Sequence, residues 1–170
     1  HDYLVRLPAG HTSKQWLSKI EQDIQLAESR IKAETGQNHK MVAYPYGEFS
    51  LSIQQLLKDK GFIGFGQHSG AVGLTTDLTR IPRFPASGRY ASIETLAIKI
   101  ASLAMPIIAL ENANPVITQN PPTLSVTVDH QDFLPSTVQC FIGASRAHVK
   151  WPNANTSNTN TFTVSSYTKL

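Results

Sequence analysis

Cysteine occurs once, at Cys140, which excludes an internal disulfide and any zinc site built from several thiolates. Long apolar runs are also missing. The longest, Ile98 to Leu110, is interrupted by Lys99 and Pro106 and is too short and broken to span a bilayer as a helix. An excess of one charge is scarce too: 15 Lys and Arg against 12 Asp and Glu leave +3, with no window dominated by Lys or Arg. A basic surface that tracks phosphates is therefore not expected, and nucleic acid is not an expected partner. Charged residues are only 16% of the chain, too few for an acidic or basic disordered tail, while 41% hydrophobic residues suffice for a packed core. The 170 residues fit one ordinary domain, or one and a half small ones. The sequence opens at His1 without Met or a signal-peptide pattern, which reads either as a processed chain or as a piece of a longer one.

Charge divides the chain. Residues 1–112 hold 22 charged side chains, whereas residues 113–170 hold five: Asp129, Asp132, Arg146, Lys150 and Lys169. Between them lie Asn112-Ala113-Asn114-Pro115 and Asn120-Pro121-Pro122, rich in residues that favour turns and break helices. A domain boundary is expected near residue 113.

The first part alternates helix and strand patterns. Thr12 or Ser13 offers an N-cap, Trp16, Leu17, Ile20, Ile24, Ala27 and Ile31 repeat at helical spacing, and Gly36 supplies a stop. Met41 to Tyr46 reads as a short buried strand. A second helix runs from Ser50 to Gly61, with strands predicted at Phe62 to Gly66 and Arg80 to Phe84. Ser92 caps a third helix, expected to turn Ile93, Leu96, Ala97, Ile100 and Leu103 inward and to stop at Pro106. This order implies α/β units with parallel strands, whose chemistry sits where strands end and loops begin. The second part alternates at period two: Leu124, Val126 and Val128; Val138, Cys140 and Ile142; Val149 and Trp151; Phe162 and Val164. Short alternating runs between turn residues predict a small antiparallel, sandwich-like β domain. Asn153 to Thr161 is a polar loop, and its Asn155-Thr156-Ser157 triplet is too common by chance to be informative.

The stretch with most chemical content is Val42-Ala43-Tyr44-Pro45-Tyr46-Gly47-Glu48-Phe49. Pro fixes one dihedral and Gly permits a sharp turn, so the Tyr between them is held rigidly at a strand end. A fixed backbone N–H in that position can stabilise an oxyanion; the plainer reading is a strand-to-helix turn. Ala43-Tyr44-Pro45-Tyr46-Gly47-Glu48, then Gly61-Phe62-Ile63-Gly64-Phe65-Gly66-Gln67, then Ile81-Pro82-Arg83-Phe84-Pro85 form an ordered series. That series resembles the polysaccharide deacetylases, carbohydrate esterase family 4 or NodB-homology domains, in a bacterial subgroup with a β-rich C-terminal extension. It covers residues 1–105 well and 113–170 more loosely.

The resemblance implies a partial (β/α)7 barrel: residues 1–112 as the C-terminal part of the catalytic domain, and 113–170 as a β-rich accessory domain, incomplete. It implies hydrolysis of N-acetyl or O-acetyl groups on a polysaccharide of N-acetylhexosamine units. It also implies a divalent metal such as zinc, held by one Asp and two His with a second Asp as base. A metal of this kind lowers the pKa of bound water and polarises the carbonyl. The implied location is extracellular, periplasmic or in the cell envelope. His1-Asp2-Tyr3-Leu4 resembles the tail of the family's second motif, which makes His1 a metal ligand. Tyr46, Arg83 and His68 are the catalytic candidates, and Tyr44 and Glu48 the substrate-binding ones. The chain departs from the family pattern in having no Asp-Asp pair, Ala43 where Arg is usual, and no clear late catalytic histidine, for which His68 is the nearest candidate. Weak metal binding and no meaningful turnover are therefore expected of this chain by itself.

Each candidate has a plainer role beside the functional one. Arg83 could orient a carboxylate or sugar, or pair with Asp77 or a helix-end carbonyl. Glu48 could accept from a sugar hydroxyl, or complement a helix dipole. Tyr44 and Tyr46 could stack on sugar, or be half-buried. His11 and His39 read as surface residues, and His130 with Asp129 and Asp132 as a polar turn. Trp151 could bind sugar or sit in a core, and Cys140 reads as a small buried apolar residue. Two functions follow: a metal-dependent deacetylase represented by a fragment, or a non-catalytic carbohydrate-binding or adaptor module on a degenerate barrel. A third, copper held by the amine and imidazole of His1 as in polysaccharide oxygenases, conflicts with the α/β pattern of the first 110 residues. An uncovered strand edge invites a homo-oligomer.

Overall fold

The computed structural model describes residues 4–117, 119–129, 133–142, 145–152 and 160–166, and divides into two compact units, His1–Ala104 and Met105–Leu170. In the first unit, helix α1 spans Ser13–Thr35. Thr12 and Gln15 form a reciprocal capping box, and Gly36 ends the helix in the left-handed conformation, where a side chain would be strained. The helix buries Trp16 and Ile20 and partly covers Leu17 and Ile24. Ala27 and Ile31, expected to face inward, are exposed, because the core is used up within the first three turns of the helix.

Strand β1 is Met41–Ala43 and strand β2 is Ile63–Phe65, joined by helix α2, Leu51–Lys60. The strands are parallel, with Val42 opposite Gly64. Ser50 caps α2 through the Ile53 N–H, and Gly61 closes it. Trp16, Ile20, Tyr44, Ile53, Leu57 and Phe62 form the core. Fully burying Ile53 or Leu57 contributes about 2 kcal/mol each. The predicted strand at Arg80–Phe84 reduces to one parallel bridge, Phe65 with Ile81, because Pro82 and Pro85 lack the N–H a ladder needs. Gly64 donates to Leu78 O at 2.9 Å and accepts from Ile81 N–H at 2.7 Å, so this segment covers the outer edge of β2.

Helix α3 spans Ile93–Ile100 and stops at Ala101, short of Pro106. Its expected inward face is not buried: Ile93, Leu96, Ala97, Ile100 and Leu103 are all exposed, and Leu103 is 93% exposed. Helical spacing predicts a shared face correctly but not what lies against it.

In the second unit, β3 (Ile107–Glu111), β4 (Thr123–Val128), β7 (His148–Lys150) and β8 (Thr161–Ser165) form an antiparallel sheet in the order β3-β4-β8-β7. Strands β5 (Phe141–Ile142) and β6 (Ser145–Arg146) form a separate antiparallel pair. Val126, Val128, Ala147, Phe162 and Val164 make this unit's core, with Cys140 and Trp151 packed partly buried against it. Burial pushes the Cys140 thiol up from its ordinary pKa. The alternation read at Val126, Val128, Phe162 and Val164 places them on one face, as period two requires. Strand β3 falls in a stretch that the sequence left without an element.

The described residues thus form a mixed α/β fold with three helices and three small sheets, none closed into a barrel. None of these helices is long and apolar enough to cross a membrane. His130, Asp132 and the Asn155-Thr156-Ser157 triplet lie outside the described residues.

Candidate functional site

The two parallel strands end side by side. Beyond β1, Pro45–Gly47 forms a single turn of 3-10 helix, in which Tyr46 takes φ 57° and Gly47 φ 71°. A non-glycine residue with positive φ is held there by its surroundings. Gly47 donates to Tyr44 O at 2.9 Å and Glu48 to Pro45 O at 3.2 Å, and these bonds close the turn. Beyond β2, Gly66, Gln67 and His68 follow. The two loops touch: a Cβ on Gly47 would lie 2.7 Å from the Gln67 Cβ, and the Phe49 ring lies 6.4 Å from the His68 ring.

Arg83 fastens the next segment to this loop. Its Nε donates to Gly66 O at 2.6 Å and its backbone N–H to His68 O at 2.9 Å. No carboxylate pairs with it among the described residues. Asp77, one expected partner, instead pairs with Arg80 at 3.3 Å. Tyr46 presents an exposed ring, 54% accessible. Burial, and then the Arg80 charge, push the His68 imidazole below its ordinary pKa, so it is neutral at pH 7.

Glu48 is unusual at this rim. Its Oε2 is out of contact with solvent and has no hydrogen-bond partner among the described residues. Leaving a carboxyl oxygen buried without a donor is costly.

Of the six candidates, four gather at the strand ends: Tyr46, Glu48, His68 and Arg83. Tyr44 does not. It is 2% exposed, in the core, and donates its hydroxyl to Thr79 O at 2.5 Å. Burial, then the Asp77 charge, raise its pKa well beyond the ordinary phenol value. Strand alternation explains the difference, since Tyr44 and Val42 share a face while the turn after Pro45 redirects Tyr46. His1 lies outside the described residues.

Sequence reading missed a polar cluster in which Gln54 and Thr79 are buried and Asp77 is exposed. Thr79 Oγ1 donates to Asp77 Oδ1 at 2.7 Å, and Gln54 Nε2 donates to Thr79 Oγ1 at 3.0 Å and to Asp77 Oδ2 at 3.3 Å. Gln54 is itself buried, with its Oε1 left over. A Cβ on Gly64 would overlap Thr79 O, so this close approach requires glycine. A polar residue on the inward stripe of α2, at Gln54 between Ile53 and Leu57, was the available signal.

A centre of one Asp and two His does not fit the described residues: no group of three or more His, Cys, Asp or Glu side chains stands close enough to hold a metal ion. The geometry offers a polar rim with an acceptor, a guanidinium, a neutral imidazole and an exposed aromatic ring.

No protein-family profile matches the sequence, and no curated protein matches it. Among solved structures, 45% of the chain is similar to the BpsB deacetylase domain from Bordetella bronchiseptica, at 25% identity and a TM-score of 0.42. The chain spans 31% of the length of that domain.

Proposed function

We propose that the first unit is a non-catalytic carbohydrate-recognition element that binds a polysaccharide of N-acetylhexosamine units at the strand-end rim. The observation that carries this reading is the gathering of Tyr46, Glu48 and Arg83 at the ends of the two parallel strands, with Tyr46 54% exposed. The Tyr46 ring covers an apolar sugar face, the Arg83 guanidinium binds ring or acetyl oxygens, and the Glu48 carboxyl accepts from a sugar hydroxyl or amide N–H through Oε1. The ordered series of motifs that resembles polysaccharide deacetylases supports the choice of ligand, and with it an extracytoplasmic setting.

The test is a titration of the whole chain with soluble N-acetylglucosamine oligomers, followed by amide NMR shifts. Shifts centred on Tyr46, Glu48, Gln67 and His68 are expected. Glu48→Gln and Tyr46→Ala each weaken binding by about 10-fold or more, the equivalent of one good polar or stacking contact. The absence of any shift at millimolar oligomer would sink the proposal.

A hydrolytic reading stays second. Deacetylation with a divalent metal such as zinc would use His1 and the rim residues Tyr46, His68 and Arg83, but it needs ligands that the described residues do not assemble. It is favoured only by the placement of those residues at the ends of parallel strands, where α/β enzymes keep their chemistry. Acetate release from the same oligomers in the presence of zinc would restore it.

A further inference from the structure

The four-stranded sheet of the second unit has two unlike faces. Val126, Val128, Phe162 and Val164 turn inward to its core. The residues between them turn outward, and the ladder sets them in register: Lys150 beside Thr163 and then Ser125, His148 beside Ser165 and then Thr123. Hydroxyl side chains therefore line the outward face of β4 and β8.

A row of cations runs along the side of this face. Ala147 and Val149 pack on the core, so Arg146, His148 and Lys150 share the outward face, and all three are exposed. Ala147 N–H donates to Cys140 O at 2.8 Å on one side, while His148 pairs with Ser165 on the other. The stretch from β6 to β7 thus runs between β5 and β8. Phe141 of β5 stands opposite Arg146 and is 60% exposed, which puts an aromatic ring at the head of the row. From Arg146 to Lys150 the row is about 13 Å long, given the rise of an extended strand.

Acidic groups stand apart from it. Among the described residues no carboxylate pairs with Arg146 or Lys150. Glu111 lies in the same cross-strand row as Lys150, but beyond Thr163 and Ser125, three strands and about 14 Å away. Asp129 follows the end of β4, two strands from β7. Salt screens exposed charges beyond about 8 Å, so Glu111 does not neutralise the row.

We propose that this face binds an extended acidic polysaccharide, one with carboxylates on its sugar units. Arg146 and Lys150 meet the carboxylates, the Phe141 ring covers an apolar sugar face, and Thr163 and Ser165 exchange hydrogen bonds with sugar hydroxyls. A line of negative charge, a ring face and many hydroxyls are what such a polymer brings together. Single-stranded nucleic acid also brings charge, but it stacks successive bases on successive rings, and this row offers one. An acidic peptide would use the cations and leave the hydroxyl rows idle. The surface belongs to the second unit and does not depend on carbohydrate binding at the rim of the first.

Titration of the whole chain with galacturonic acid oligomers, followed by amide NMR shifts, tests it. Shifts are expected at Phe141, Arg146, Lys150 and Thr163, with affinity that falls from low to physiological salt. Arg146→Gln and Lys150→Gln should each weaken binding by about 3-fold and together by about 10-fold, while Arg146→Lys keeps it within about 2-fold. Unchanged amide shifts of Val126 and Phe162 in each variant separate lost binding from a lost fold. No shift at millimolar oligomer overturns the proposal, as does binding that survives the double substitution. Equal shifts with neutral N-acetylglucosamine oligomers would show that charge plays no part, and tighter binding of an oligothymidylate would give the face to nucleic acid. Either result overturns it as well.

Discussion

Two polar clusters lie within the first unit, and they differ in how their atoms are spent. In the Asp77, Thr79 and Gln54 cluster, the donors of Thr79 and Gln54 and both Asp77 oxygens are engaged, and the Tyr44 hydroxyl adds a bond to Thr79 O. At the strand-end rim, Glu48 holds a buried oxygen with no donor among the described residues, and the Arg83 side chain bonds through Nε to Gly66 O while its backbone N–H bonds His68 O. Gln54 Oε1 and Glu48 Oε2 are alike in being buried without a partner among the described residues, so the clusters differ in the bonds they do make: the first ties α2 to the segment of Asp77 and Thr79, whereas the rim side chains make few. Substitutions in the first cluster should therefore cost stability, and those at the rim should cost binding.

The largest expected effect is at the cluster of Asp77, Thr79 and Gln54. Gly64→Ala drives a methyl group into Thr79 O and crowds the Tyr44 hydroxyl. The segment carrying Thr79 must shift off β2, with a loss of about 3 kcal/mol in a denaturant titration. A loss under about 1 kcal/mol would mean that the close approach at Gly64 does not fix this segment.

Tyr44→Phe comes next. It keeps the ring in the core and removes only the donor to Thr79 O, for an expected loss of about 1–2 kcal/mol. Glu48→Gln provides the contrast, because it replaces a carboxylate whose buried oxygen has no partner. Stability should hold, or rise by up to about 1 kcal/mol, while oligosaccharide affinity falls. If Glu48→Gln destabilised as much as Tyr44→Phe, the distinction between the two clusters would collapse.

What the sequence made legible follows from how local each signal is. Thr12, Gly36, Ser50 and Gly61 mark helix ends through bonds within a few residues of themselves, and the observed caps are these residues. The positive φ of Tyr46 is likewise bracketed by Pro45 and Gly47. The inward face of α3 was not legible, because periodicity marks a face without saying what covers it. Tyr44 reads in sequence as a sugar-stacking or half-buried residue, whereas strand alternation sends it to the core. Its hydroxyl partner, Thr79 O, is 35 residues away, beyond the reach of any local pattern. Glu48 stands out in sequence as a residue type, but its missing donor is visible only in the folded structure.

The smallest expected effect belongs to His68, which stands at the rim but borrows its environment from the structure beneath. Burial and the Arg80 charge both disfavour its imidazolium, so its folded pKa lies below the ordinary 6.5. The unfolded chain therefore takes up a proton first as the pH falls. The contribution of this group to stability is complete above about pH 6.5, and is lost as the pH drops through that value toward the folded pKa. The ring is covered in part by its surroundings, but the residue is exposed overall and solvent screens the Arg80 charge, so the loss is small. An NMR titration of the His68 ring should give a midpoint below the ordinary imidazole value, and Arg80→Gln should move it upward. Because Arg80 also pairs with Asp77, the same substitution loosens the cluster around Asp77. A His68 midpoint that rises without loss of stability would show that charge reaches the rim independently of the network below. A midpoint at the ordinary imidazole value in the unsubstituted chain would show that neither burial nor Arg80 acts on His68.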